Sequence, residues 1–426
     1  MKVSLLLLTL IVPWMLKAQE GSQSLSLQQA IEFAIKYNKE LKASKMDIDL
    51  YREKIRESVS EGLPQVNGTL DYSSNFGYKM NFGGNSMKLK DQSNLKVGVS
   101  QLLFNGQWIV GIQTSKIAQR LASQQVDITE LDIVENIYNS YYTVLVSERL
   151  CNILRQNMEN MNKIYEHTAN QFKAGTVEET DLDQIRVNVG QLKNNLLAME
   201  RTVAVNYNLL RIQLGLEAGT EITLTDKLEQ FLNEETANSL YSQEFDINNN
   251  LEYRLQNTQT ELNKKTVSLQ KWSFAPTISG SYNYTYKIKK AGFDMSPNHS
   301  AGLTMSIPVF SGLKRYSQVQ QAKIELEKSI VNQDLLKDNL HLQDEQLKYD
   351  LKNAMENYAL QKENIDVAAR VLKNYQIKYE HGAISSLDLT NANDNYLTAE
   401  SNYTNAILTL LQAQVSIERL YNQLKH

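Results

Sequence analysis

The stretch Leu313–His381, LKRYSQVQQAKIELEKSIVNQDLLKDNLHLQDEQLKYDLKNAMENYALQKENIDVAARVLKNYQIKYEH, runs 69 residues without a glycine or proline. Apolar residues recur in it at steps of three and four among Gln, Lys, Glu and Asp, so the spacing predicts a single helix. At 1.5 Å per residue that helix is about 100 Å long, roughly three times the apolar thickness of a bilayer. No compact globular core needs such an element. Length organises this chain.

The run has a twin. Ile112–Ala174 is a second long helical stretch, and it ends at Gly175 as the first ends at Gly382. Each is followed by a returning helix, about Thr180 to Leu214 and about Ser386 to Leu424. In the first, Leu182, Ile185, Val189, Leu192, Leu196, Met199, Val203, Asn206 and Leu210 form a seam of period 3.5. Adding 207 to these numbers gives Leu389, Ala392, Tyr396, Ala399, Tyr403, Ala406, Leu410, Ala413 and Ile417, nearly all apolar. The chain therefore reads as a tandem helix–hairpin–long helix–helix repeat. Repeat 1 covers 19–214 and repeat 2 covers 248–426, with 215–247 as a peripheral linker of mixed structure. Helices are expected over 25–60 and 248–272 ahead of the two hairpins. Two short helices end to end match one long helix in length, which suits a bundle whose layers run its full height.

Composition narrows the class. Of 426 residues five are proline and 18 glycine, clustered at a few breaks. A net charge of −4 argues for no nucleic-acid partner. Lys2, the apolar run Val3–Leu16 and Ala18 read as a signal peptide over 1–18. No cysteine follows it to carry a lipid, and Cys151, the single cysteine, excludes an intrachain disulfide. No later stretch has 18 consecutive apolar residues, so a membrane span could only be a closed barrel.

Between the helices the period changes from 3.6 to 2. Strands are expected at about 65–73 and 95–102, then at about 277–286 and 300–307. Val66, Gly68, Leu70 and Tyr72 share one face, as do Leu95, Val97 and Val99. Ile278, Gly280, Tyr282, Tyr284 and Tyr286 follow, then Ala301, Leu303, Met305 and Ile307. The other face is Ser, Thr, Asn, Asp and Gly. A small sheet packed on helices would account for hairpins alone. Aromatic residues at both edges of the apolar band favour a membrane barrel wall instead: Tyr282 and Tyr284 toward the loops, Trp108, Trp272, Phe274 and Phe310 toward the helices. Four strands cannot close a barrel, so several copies must contribute.

The ordered set of these features resembles the TolC-type outer-membrane efflux protein family, over about residues 25–424. It rests on Pro64 and Pro276 before the hairpins and on the exits Val99–Gly106 and Met305–Gly312. It rests also on the tips Phe172–Leu182 and Tyr379–Leu389. The resemblance implies a homotrimer, with a trimeric 12-stranded transmembrane β-barrel continuous with a long α-helical barrel in the periplasm. It implies a periplasmic adaptor (membrane fusion) protein and an inner-membrane pump of RND, ABC or MFS type as partners, and outer-membrane lipid around the barrel. Residues 215–247 would form an equatorial belt. Some relatives latch the second tip with an aromatic, an arginine and two aspartates. Tyr379 and Asp388 match, but Ile384 and Asn391 replace the arginine and second aspartate, so no arginine latch is expected.

For the tips (about 172–182 and 379–389), Gly175 and Gly382 are expected to end helices in the left-handed conformation. With Leu182 and Leu389 they would form the adaptor-docking surface. Asp181, Asp183 and Asp388 sit in first helical turns, where acids favour the helix dipole and Thr180 or Ser386 can cap. A second reading gathers these acids and Tyr379 around a pore aperture as cation-attracting rings. The five histidines show no ligand spacing, so no metal or cofactor is expected, and no nucleophile motif or phosphate loop suggests an enzyme. The expected function is a passive exit duct for efflux or type I secretion. The competing reading is a soluble periplasmic coiled-coil adaptor or scaffold.

Overall fold

A computed structural model describes residues 23–82, 85–217, 219–290 and 296–424. The expected signal segment 1–18 lies outside these residues. The chain opens with β1 (Gln23–Leu25), α1 (Leu27–Tyr37) and α2 (Lys39–Ser60). Strands β2 (Gln65–Ser73), β3 (Lys79–Phe82), β4 (Asn85–Lys88) and β5 (Gln92–Phe104) follow, then α3 (Gly106–Lys173) and α4 (Glu179–Leu214). A short region holds β6 (Ile222–Leu224) and α5 (Glu234–Ser242). The remaining elements are α6 (Leu251–Trp272), β7 (Thr277–Lys289), β8 (His299–Ser306), α7 (Lys314–Glu380) and α8 (Ser386–Leu420).

The two hairpins join as one antiparallel sheet in the order β2-β5-β7-β8. The helices that enter and leave these strands pack in the same lateral order, α2 on α3, α3 on α6, α6 on α7. Each strand therefore continues into the helix beneath it. Lower down α4 replaces α2 and α8 replaces α6, giving the row α4-α3-α8-α7. The molecule is a wall one element thick. Such a wall has little interior, which explains why Met46, Leu50, Ile324, Val331, Leu335 and Leu342 stay exposed in a single chain.

Two asparagines make the vertical stacking possible. The expected helix over 25–60 breaks at Asn38, whose ψ of 129° leaves the helical region. Its side-chain Oδ1 accepts from the N–H groups of Glu40 and Leu41, and its Nδ2 donates to the Gln213 carbonyl at 2.8 Å. One buried amide thus caps the start of α2 and the end of α4. Asn250 does the same at the other junction: Oδ1 accepts from the Tyr253 N–H, and Nδ2 donates to the Leu420 carbonyl at 3.1 Å. The lower helices α4 and α8 end against left-handed residues, Gly215 (φ 75°) and Asn422 (φ 56°), 207 positions apart. The stacked pairs have 22 and 36, and 22 and 35, residues beside 68 in α3 and 67 in α7.

The main core lies at mid-height, where β1, α1, β6 and α5 wrap α3 and α8. Ile31, Ile137, Tyr141, Leu210, Ile407 and Leu411 are almost fully buried there. β1 pairs in parallel with β6, and Asp226 accepts from the Leu27 N–H (2.7 Å) and the Tyr141 hydroxyl (2.9 Å). The segment 215–247 is thus tied to the N-terminal strand. Arg419 on α8 clamps the same level, 2.6 Å from Asp132, 2.8 Å from Glu135 and 3.4 Å from Glu252. Burial opposes its charge, but the Asp132 hydrogen bond and the three carboxylates outweigh burial and raise its pKa. Burial pushes the Glu135 carboxyl upward despite Arg419.

Arg419→Gln is expected to cost about 1–3 kcal/mol by leaving half-buried carboxylates without their cation. Without Arg419 the folded-state pKa of Glu135 rises further above its unfolded value. The folded variant then binds more protons than the unfolded chain, and its stability falls as pH rises through that pKa. Unfolding midpoints at pH 8 and pH 5 check this: the deficit must shrink toward pH 5, and an unchanged deficit refutes it.

Candidate functional site

Register defines the sheet faces. Val66, Val99, Tyr282 and Ala301 form one cross-strand row, Gly68, Val97, Tyr284 and His299 the next, and Leu70, Leu95 and Tyr286 a third. Val66, Leu70, Leu303 and Met305 on this face are each more than half exposed. The opposite face carries the rows Asn67, Gly98, Asn283, Ser300 and Thr69, Lys96, Thr285. Lys96 there pairs with Asp71 at 2.7 Å. Asn283 lies over Gly98, whose absent Cβ would sit 2.6 Å from its Oδ1. Among the described residues, β2 and β8 are edge strands with no neighbour on their outer sides. The strands β5 and β7 have 13 residues each, longer than expected, and the expected polar loop after β2 contains the β3–β4 ladder.

The aromatic candidates separate into two kinds. Trp108 packs over Gly62 at the end of α2, where a Cβ would overlap its ring, and its Nε1–H donates to the Ser58 carbonyl at 2.7 Å. Trp272 covers Gly106 and meets Phe104 edge-on at 6.4 Å. These two tryptophans seal the seam where helices become strands. Phe274 and Phe310 are exposed beside that seam. Tyr282 and Tyr284 stand on the apolar face against His299, the Tyr282 hydroxyl 2.8 Å from its Nδ1. No helix among the described residues is long and apolar enough to cross a membrane.

At the far end both long helices finish in the same way. Gly175 (φ 74°) and Gly382 (φ 69°) are left-handed. The next N–H donates back five residues, Thr176 to the Gln171 carbonyl at 3.0 Å and Ala383 to the Lys378 carbonyl at 2.8 Å, which closes a Schellman turn. The caps that follow differ from expectation. Ser385, not Ser386, caps α8 through a capping box with Asp388, and Thr180 lies inside α4. The Ser386 hydroxyl instead donates to Asp181 at 2.7 Å and ties the two tips together.

Tyr379 is buried in the tip core with Met161, Ile185, Leu192 and Leu389. Its hydroxyl lies 2.6 Å from Thr168 Oγ1, and Thr168 donates to the Ile164 carbonyl, which leaves Tyr379 as the donor between them. Burial first, and then Asp181, raise its pKa against the effect of Thr168. Asn157 and Asn393 exchange a reciprocal pair of amide hydrogen bonds, 2.6 and 3.2 Å, and Asn188 donates to Thr390 at 2.9 Å. Within one chain, then, Asp181, Tyr379 and Leu389 are engaged between the two coils. Asp183, Asp388, Gly175 and Gly382 face outward, and Leu182 is half-buried. Asparagines on helical seams carry no motif, which is why the tip-to-tip hydrogen bonds were not legible in sequence. No cluster of possible metal ligands occurs among the described residues.

The profile of the outer membrane efflux protein family matches residues 30–216 and 247–423. The outer membrane protein TolC of Salmonella enteritidis is 26% identical over 322 residues, 71% of this chain and 62% of that protein. The chain thus aligns with about three-fifths or less of the length of the curated relatives it matches. Among solved structures, the CmeC outer membrane channel of Campylobacter jejuni superposes with a TM-score of 0.76 at 16% identity, over 93% of this chain and 85% of that one. The MtrE outer membrane channel of Neisseria gonorrhoeae gives 0.74 at 15% identity, over 94% and 89%. These likenesses carry the fold, and the profile covers most of the length. This chain belongs to the outer membrane efflux protein family.

Proposed function

We propose that three copies close this wall into a 12-stranded barrel in the outer membrane, set on an α-helical tunnel, as the exit duct of a tripartite efflux or type I secretion system. The observation that carries the reading is the shared lateral order of strands and helices, with β2 and β8 unpaired at its edges. Unpaired strand edges in lipid cost several kcal/mol per backbone group, so the wall is stable in a bilayer only when neighbouring copies complete it. In this reading the chain duplicates one wall unit, 215–247 belts the tunnel, and the tips dock on a periplasmic adaptor beneath an inner-membrane pump. The chain supplies a closed polar route and no chemistry.

Detergent extraction followed by single-channel recording in planar bilayers tests the proposal. Extraction without detergent and absence of conductance would favour the soluble scaffold, against which the exposed apolar face already weighs. Asp388 is exposed at the tip while its Oδ2 accepts from Ser385. An asparagine there retains an acceptor oxygen for the capping box. Asp388→Asn is therefore expected to lower cation preference with little loss of folded protein; unchanged selectivity confines Asp388 to capping.

A further inference from the structure

We infer that the loop-side rim of the sheet, centred on Lys289, binds the phosphorylated headgroup of an outer-leaflet lipid. The inference rests on the barrel-wall reading and adds a partner to it. Alternation alone would put Lys289 with Lys287 on the polar face. A bulge between Asn94 and Ser93 takes up Ile288, and Lys289 pairs with Ser93, which pairs with Tyr72. Tyr72 belongs to the apolar face, one row beyond Leu70, Leu95 and Tyr286. The Lys289 Nζ lies 5.5 Å from the centroid of the Tyr72 ring. The bulge thus places an ammonium at the outer margin of the band that faces lipid, with aromatic rings beneath it.

Charge supports the same partner. Residues 71–91 and 285–300 hold six lysines and three aspartates, a surplus of +3. The rest of the chain, with 38 basic and 45 acidic residues, carries −7. Lys79, Lys88, Lys90, Lys289 and Lys290 in these segments are all exposed. Asp91 beside the Tyr72 ring accepts from the Ser74 (2.8 Å) and Tyr72 (3.1 Å) hydroxyls. Basic residues clustered at a membrane surface attract anionic headgroups, and three copies would ring the barrel with this patch.

The test uses the full-length protein in phosphatidylcholine nanodiscs doped with diphosphoryl lipid A or with its dephosphorylated form. Apparent affinity is read from lipid retained through purification. Diphosphoryl lipid A should be enriched and the dephosphorylated form not. Lys289→Gln should weaken retention about fivefold. Lys96→Gln, on the opposite face, should change it less than twofold. Equal retention of both lipids, equal loss in both variants, or full displacement by inorganic phosphate overturns the inference. If Lys289→Gln does not fold, the comparison of the two lipids on the unaltered protein still decides. Failure to insert into bilayers at all would instead overturn the barrel reading.

Discussion

Gly215→Ala is expected to destabilise the protein by about 3 kcal/mol, whereas Gly175→Ala should cost only about 1 kcal/mol. The two glycines have nearly the same φ, 75° and 74°. The left-handed backbone alone penalises an L-residue by roughly 1–2 kcal/mol in either place. Their surroundings separate them. At Gly175 nothing lies within 4 Å of a Cβ. At Gly215 a Cβ would overlap the Tyr37 carbonyl oxygen and stand 2.9 Å from its carbon. That carbonyl precedes Asn38, so relief would pull apart the junction that stacks α2 on α4. Thermal midpoints of both variants in detergent check the difference. Equal shifts would mean that the junction yields easily and that its register does not depend on Gly215.

Val97→Lys is expected to abolish assembly in the outer membrane, while Asn67→Lys should be tolerated. Val97 sits in the central row of the apolar face between Gly68 and Tyr284. A lysine on the lipid face near the bilayer midplane costs about 2–4 kcal/mol per copy, and three copies multiply it. Asn67 pairs with Gly98 on the polar face, where Lys96 already resides next in sequence to Val97. The same charge moved by one strand position therefore changes from accommodated to excluded, because side chains alternate between faces. Fractionation of outer membranes reads the outcome. Normal assembly of the Val97 variant would mean that this face is covered by protein rather than lipid.

Much of this arrangement was legible from periodicity. Long runs such as Leu313–His381 average the 3.6 signal over many turns, so no local accident hides the helix. Strand faces were legible because apolar and polar residues alternate over eight or more positions. Single-residue events were not. Asn38 interrupts a helix without glycine or proline, and only the Gln213 carbonyl supplied by a segment 175 residues away makes the break favourable. Ser385 and Ser386 are adjacent hydroxyls, and pattern alone cannot decide which caps and which reaches Asp181. Tyr379, read at an aperture, is held inward by Thr168.

The residues by themselves determined the helical lengths, the two-faced hairpins and the glycines that end the long helices, because each depends on neighbours within a few turns. The third dimension decided how the pieces abut. It joined the hairpins through β5 and β7, gave strands and helices one lateral order, and spliced α2 to α4 and α6 to α8 through buried asparagines. It also buried Tyr379 between the coils of the tip. Those choices rest on hydrogen bonds and contacts between residues far apart in the chain, whose energies no local pattern encodes.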